Sequence, residues 1–295
     1  MIIIPKREWG YPWSYERSYD KTLRAYVSQI EKAMEEEIPA MEDLAKDNGV
    51  KMDSYESDLT ALLDKIGAKV DKNVSEAALK KRIQSMYKLV NDFNDKEFHK
   101  AIKEAVGISD FFINEKWQQM YKAVWIQDNL SLIKSIKQRT LENIRYDLGE
   151  LIATAQNKQL RAAQLTEMIQ NITDQNYKRA HLIARDQIGK LNGRLTQLRQ
   201  QSAGIKRYKW STSRDERVRP AHAEREGKIF EWDNPPFDGN PGYPIQCRCV
   251  AIPVIDTSEL GISTEESVTI REENAALPSK LAGVKRGDPM DETEA

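Results

Sequence analysis

The sequence predicts a mainly α protein: a body of long helices, a small C-terminal α+β module, and an acidic, flexible tail. Three observations carry this. Apolar residues recur at three- and four-residue intervals across residues 18–203, the period of a helix. At Ile205 that period gives way to β-leaning alternation and a loop rich in Pro, Gly, Asn and Asp. From Asp256 to Ala295 there are ten acidic and four basic side chains. The expected division is an aromatic arm (1–17), a helical domain (18–203), the module (204–255) and the tail (256–295). A chain of 295 residues is long enough to bury a sizeable core.

The arm mixes Trp9, Tyr11, Trp13 and Tyr15 with Gly10 and Pro12, which forbid a continuous helix over residues 1–15. Two placements are open for it: packing on its own helices, or strand addition and exchange with a second copy. Residues 18–45 carry Leu23, Tyr26, Val27, Ile30, Ala33 and Met34 on one helical face, with Pro39 expected to kink or end the helix. Asn48-Gly49 reads as a turn. Residues 53–70 form a second amphipathic helix through Leu59, Leu62, Leu63 and Ile66. Ser75 caps a third, with Glu76 in its first turn, and Gly107 stops it after Val106. Ser109 then reads as the next cap, and the pattern stays helical from Asp110 to Ala203. In the module, residues 205–210, 228–232 and 248–255 read as strands. Residues 217–225 read as a short helix, and residues 233–242 as a loop.

The charge is divided unevenly. The tail carries −6, so the preceding residues carry +5 within a total of −1. Residues 187–219 hold nine Lys and Arg against Asp215 and Glu216. Lys190, Arg194, Arg199, Lys206, Arg207 and Lys209 are the candidate nucleic-acid contacts there; a solvated helix face is the competing reading. No stretch reaches the ~18–20 apolar residues of a membrane span. MIIIPKREWG lacks the basic region and long apolar run of a signal peptide. The only two cysteines, Cys247 and Cys249, are too close for an unstrained disulfide, which points to reduced thiols and an intracellular place of assembly.

Asp215, His222, Cys247 and Cys249 offer one oxygen, one nitrogen and two sulfurs, a set that suits tetrahedral Zn²⁺. A metal there would pin a distant loop to a short helix, a useful staple for so small a module. Against it, C-x-C is not the usual C-x2-C knuckle. The alternative makes the cysteines small buried hydrophobes on one strand face and His222 a hydrogen-bonded core residue. His99 and His181 lie in helical stretches as structural or exposed residues. A thiol hydrolase lacks a glycine-rich oxyanion turn and a helix presenting the nucleophile. A metal nuclease lacks a recognisable carboxylate set, and there is no P-loop or GxGxxG. No catalytic residue is assigned.

Taken together the block resembles a family. Trp210-Ser-Thr-x-x-Asp215-x-Arg217-Val-Arg219-x-x-His222, then Gly227-x-Ile229-Phe230, Pro241-Gly242 and Cys247-Arg248-Cys249 are similar to the phage Mu F-like head morphogenesis proteins. These are minor head, or minor capsid, proteins of tailed phages. Arg179-Ala-x-x-Ile183-Ala-Arg185-Asp186-Gln-x-x-Lys190-x-Asn192 and Asn129-Leu-x-Leu132-Ile133-Lys-Ser135-Ile136 extend the likeness over roughly residues 115–255. The resemblance implies a virion component at the portal vertex or capsid interior, in several copies. Its partners would be the portal protein, capsid or scaffold components and packaged DNA, with no membrane. It implies a structural role in head morphogenesis and DNA packaging or delivery rather than an enzyme. The alternative is a metal- or cysteine-dependent hydrolase or nuclease acting as phage DNA enters the cell. Some members carry a C-terminal toxin domain; about forty residues after Ile255 are too few for one, so the plain form is expected.

Overall fold

The computed structural model describes residues 1–46, 52–108, 111, 113–154 and 162–258. Six helices form the body: α1 (Trp13–Glu35), α2 (Ile38–Lys46), α3 (Met52–Asn73), α4 (Glu76–Val106), α5 (Gln118–Thr154) and α6 (Ala162–Ser202). The module holds β2 (Arg207–Ser211), α7 (Pro220–Ala223), β3 (Ile229–Glu231) and β4 (Val250–Asp256), and β1 (Ile2–Ile3) joins it from the N-terminus. The mainly α class and the attached α+β module are as the sequence predicts. The turn at Asn48-Gly49, the cap at Ser109 and the tail beyond Ser258 lie outside the described residues.

Local chemistry sets the helix ends. Ser75 Oγ accepts from the Ala78 amide at 3.2 Å, and Gly107 closes α4 at φ 78°, its N–H donating to Lys103 O. The break between α1 and α2 falls at Glu36 and Glu37, not at Pro39. Pro39 is the second residue of α2, where a missing N–H costs nothing. Glu37 is buried at the break and accepts Lys65 and Lys69 at 2.9 and 2.7 Å.

Three corrections concern extents. The described residues between α4 and α5 are not helical. Phe111 and Ile113 instead pack on a cluster holding Trp9, Phe98 and Ile252, and burial there outweighs helical periodicity. The short helix is four residues, not nine. Asp215 Oδ1 takes the Arg217 amide in a turn, and Arg219, ahead of Pro220, is held extended at ψ 144°. Cys247 and Cys249 precede β4 rather than lying on it.

The sheet runs β1-β4-β2-β3, all antiparallel, with Tyr208 opposite Pro253 and Trp210 opposite Ala251. The arm therefore adds a strand to its own sheet, Ile2 pairing with Asp256. Strand alternation then separates two faces. Val250 and Ile252 join Phe98 and Ile102 of α4, while Ala251 joins Tyr208, Trp210, Trp232 and both cysteines.

The module meets α6 backbone to backbone. A Cβ on Gly189 would stand 2.6 Å from Cys247 O, and one on Gly193 would overlap Pro241 O. From the other side Gly242, at φ 88°, approaches Gly189 O and Gly193 Cα. Gln200 at the end of α6 donates to Ala251 O at 2.9 Å and accepts the Trp232 indole N–H at 3.2 Å. Gly193→Ala is expected to lower stability by about 1–3 kcal/mol through overpacking. Gly67→Ala, in the interior of α3 with its nearest neighbour at 3.5 Å, should raise it by about 0.5–1 kcal/mol. Denaturant midpoints of the two variants check the opposite signs.

Candidate metal centre

Residues 220–249 bring three ligating side chains to one point. His222 sits on α7, held edge-on to Trp210 with ring centroids 5.3 Å apart. Gln246 adopts φ 57° and its amide donates to Asp186 Oδ1 at 3.0 Å, which turns the chain into the C-R-C segment. Cys247 Sγ and Cys249 Sγ then lie 3.6 and 3.5 Å from His222 Nδ1. All three residues are buried, and their ligand atoms lie within 4.8 Å of one another.

This spacing tests the fit to a metal. A tetrahedral zinc with Zn–S of ~2.3 Å and Zn–N of ~2.0 Å sets sulfur–nitrogen edges of about 3.5 Å. Both observed edges agree. One of the two sulfurs is also prepared as a thiolate. Cys247 accepts hydrogen bonds from Cys249, from His222 and from the amides of Gly242 and Cys249, which together hold its thiol well below the ordinary range against the opposing effect of burial. Cys249 is pushed the other way, as the partner keeping the proton and by burial. The buried Trp210 indole N–H has no hydrogen-bond partner among the described residues, and its side chain opposes the upward shift of Cys249. A desolvated pair of sulfurs sharing one proton is the charge state that a divalent cation displaces.

The fourth side chain is not where the sequence suggests. Asp215 accepts the Arg217 amide and lies 3.9 Å from Arg248, outside the group. The carboxylate in play is Asp238, in the Pro/Gly loop, which accepts from His222 Nε2 at 2.9 Å and from Arg225 at 2.5 Å. Burial raises the Asp238 pKa, but Arg225 and His222 outweigh it and the net shift is downward. A carboxylate on Nε2 fixes the ring and directs Nδ1 at the sulfurs, where a metal would take the place of its proton, the usual outer support of a metal-bound histidine. Sequence reasoning missed Asp238 because nothing in its spacing marks it; only the fold of the loop brings it to His222.

The middle residue of C-R-C faces away. Arg248 Nε donates to Glu16 Oε2 at 3.1 Å, a second bond links Nη2 to Glu16 Oε1, and Trp13 lies under the guanidinium at 4.5 Å. Tyr11 donates to the same Glu16 at 2.6 Å. Arg219 donates to Ile245 O at 2.7 Å, holding the loop ahead of the cysteines. Gly227 takes φ 75° at the turn into β3, where its amide donates to Trp210 O. Trp210, Arg219, Gly227, Gly242 and Arg248 thus have packing roles; Arg217 has no side-chain partner among the described residues.

The candidate nucleic-acid residues separate. Arg199 is fully buried, with Glu115 at 2.6 Å and with Asn91 and Asn94 at 2.8 and 2.7 Å, so it cannot reach a phosphate. Its fork organises a core network continued by Asn94 to Asn192 and Thr196. Lys190 pairs with Asp186 at 2.7 Å, Arg194 donates to Gln197 and Tyr243, and Arg207 lies 3.9 Å from Asp256. Lys206 and Lys209 flank and enter β2. His99 bonds backbone carbonyls of Asp95 and Phe111, and His181 lies 3.2 Å from Asp20. Among the described residues no helix is long and apolar enough to cross a membrane.

Comparison with known proteins agrees with the sequence resemblance. Residues 131–252 match the family described as Phage Mu protein F like protein. This segment takes in most of α5, all of α6 and the module up to the first residues of β4. A relative described as an uncharacterised protein of Haemophilus influenzae is 43% identical over 146 residues, 49% of this chain and 32% of its own length. The match thus covers about a third of that relative. No solved structure matches. The likeness to the phage Mu protein F-like family is thus carried by this segment.

Protein purified without added metal is expected to carry about one zinc per chain by elemental analysis, and Cys247→Ser to carry almost none. Asp238→Asn should weaken zinc affinity about 10–100-fold, whereas Asp215→Ala should leave it unchanged; equal losses would contradict the assignment of Asp238. Arg199→Gln should cost about 3–5 kcal/mol, because it strands Glu115 without its charge partner, as read from chemical denaturation.

Proposed function

We propose that the protein is a minor head protein of a tailed phage, assembled with the portal and acting in head morphogenesis and in DNA packaging or delivery. The observation that carries this is the family match over residues 131–252. The matched segment is a continuous physical unit. α6 and the module share backbone contacts at Gly189 and Gly193, and Gln200 ties the end of α6 to β4. A unit of this kind suits a fixed part in an assembly, with the metal centre as its clasp. Zinc, when bound, supplies a cross-link among His222, Cys247 and Cys249. The protein's own residues orient the imidazole through Asp238 and stabilise the Cys247 thiolate through backbone amides.

Packaged DNA is a further partner in this reading, approached by Lys190, Lys206, Arg207 and Lys209 and excluding the buried Arg199. Contacts of that kind weaken steeply with salt.

A second reading has one specific observation in its favour. Cys247, His222 and Asp238 stand in the order of a thiol nucleophile, its base and the carboxylate that orients the base. Three features weigh toward the structural reading. Cys247 is 4% exposed. Two thiols share one imidazole nitrogen. The amides of Gly242 and Cys249 point at the sulfur itself, not at a site beside it where a substrate oxygen would sit.

Co-expression with the portal protein of the same phage is expected to give a complex that co-sediments and survives gel filtration. A cryo-EM map of that complex should hold this chain. Purified protein that stays apart from portal and proheads, yet hydrolyses nucleic acid or peptidoglycan with activity lost in His222→Ala, would replace the first reading by the second.

A further inference from the structure

His222, Cys247 and Cys249 form one wall of a cavity of about 300 Å³ whose lining also includes Arg185, Arg217, Arg219 and Arg248. The four guanidinium groups come from three places in the fold: α6, the turn before α7, and the C-R-C segment. Two carboxylates approach them, and both are directed at Arg248: Glu16 through two hydrogen bonds, and Asp215 at 3.9 Å. The remaining three have no carboxylate partner among the described residues. Arg185 and Arg217 make no side-chain hydrogen bond or ion pair there, and Arg219 makes one, to a carbonyl. Arg185 Nε is buried and has no partner at all. Burial, then the nearby Arg248 and Arg217, lower the Arg185 pKa; Glu16 opposes them from a distance without pairing with Arg185, so these cations are crowded and only partly compensated.

Gathering like charges around a partly enclosed space is unfavourable unless an anion completes it. We propose that this cavity binds a phosphate group through Arg185, Arg217 and Arg219. The choice of phosphate over carboxylate follows from a contrast within the same site. Glu16 satisfies a carboxylate with one guanidinium, Arg248, in a two-point pair. Three further guanidinium groups, one from α6 and two from the turn before α7, match the several oxygens of a tetrahedral phosphate. The Ser213 side chain also lines the cavity and offers a hydroxyl donor. The site is distinct from the basic residues of α6 and β2 considered above. It shares a wall with the candidate metal group but depends on arginines, so the arginine variants and chelation separate it from zinc, and it does not rest on the head-protein reading.

The test titrates the full chain with inorganic phosphate by calorimetry, before and after chelation. It then uses fluorescence anisotropy with an oligonucleotide that does or does not carry a 5′-phosphate. Arg185→Gln and Arg217→Gln should each weaken phosphate binding roughly tenfold, the equivalent of about 1.4 kcal/mol. Arg217 is exposed, so its variant keeps the fold. Lys228→Gln, an exposed cation outside the cavity, should change nothing, and chelation should leave binding in place. Tighter binding of the 5′-phosphorylated strand would identify a free or terminal phosphate as the ligand. Equal binding of both strands, lost in Arg217→Gln, would identify backbone phosphate. The proposal is overturned by an absence of phosphate binding, by acetate binding as tightly, by equal losses in Lys228→Gln, or by binding that chelation abolishes while both arginine variants retain it.

Discussion

Two glycines one helical turn apart fix where everything else in the module stands. Gly189 and Gly193 present a strip of α6 with no side chain, and the loop carrying Pro241, Gly242 and Cys247 lies directly on the helix backbone. Such an approach is available only to glycine, since any Cβ would meet a carbonyl oxygen of the loop. The position of Cys247 is therefore set by helix packing rather than by the strand that follows it. His222 reaches the cysteines because β2 places Trp210 behind its ring, and Asp238 reaches His222 because the same loop continues back past α7.

The C-R-C segment works in two directions. Cys247 and Cys249 turn inward to His222, while Arg248 between them crosses to Glu16 near the start of α1. The N-terminal arm adds to the same join: Tyr11 donates to Glu16, Trp13 stacks on Arg248, and β1 pairs with β4. A displacement of Arg248 would therefore move both sulfurs. The putting-together of residues 11–16 with residues 247–249 makes the first turn of the body an outer support of the candidate metal site. The ion pair alone contributes little net stability, because two buried charges must lose their water. Its value lies in fixing geometry: breaking either half leaves a charge in the core.

Much of this was legible in the sequence wherever local chemistry decides. Ser75, Glu76 and Gly107 marked the ends of α4 to the residue, and the switch of period at Ile205 marked the module. The grouping of His222 with the two cysteines followed from ligand chemistry. What stayed hidden depends on long-range placement. Phe111 and Ile113 fit a helical stripe yet are drawn off it by the cluster beside the sheet. Arg199 looks in sequence like its basic neighbours Arg194 and Arg207, but it points into the core, where Glu115 and two asparagines satisfy its fork. Asp215 sits in a conspicuous acidic–basic run, and that run is a turn with its own hydrogen bonds; Asp238 sits in an unremarkable loop and takes the place beside His222. The four-residue spacing of Gly189 and Gly193 was the one available signal of the close helix–loop contact.

The distribution of buried polar groups explains why the module calls for a clasp while the body does not. The helices share one continuous apolar core from Tyr19 through Leu195, and burial on that scale stabilises them without cross-links. On its inner face the module has Tyr208, Trp210, Trp232, Ala251 and the two cysteines, a cluster too small to hold three short strands and a four-residue helix by apolar burial alone. On this face its remaining constraints are directional, while Val250 and Ile252 on the other face pack on α4: the Asp238 pair with His222 and Arg225, the Gln200 bonds to β4 and the Trp232 indole, and the cysteine–histidine group. Directional bonds hold only while their partners stay in register. A metal across Cys247, Cys249 and His222 would tie the loop to α7 at the point where the apolar cluster ends, and α6, through Gly189 and Gly193, supplies the rigid surface against which that tie acts.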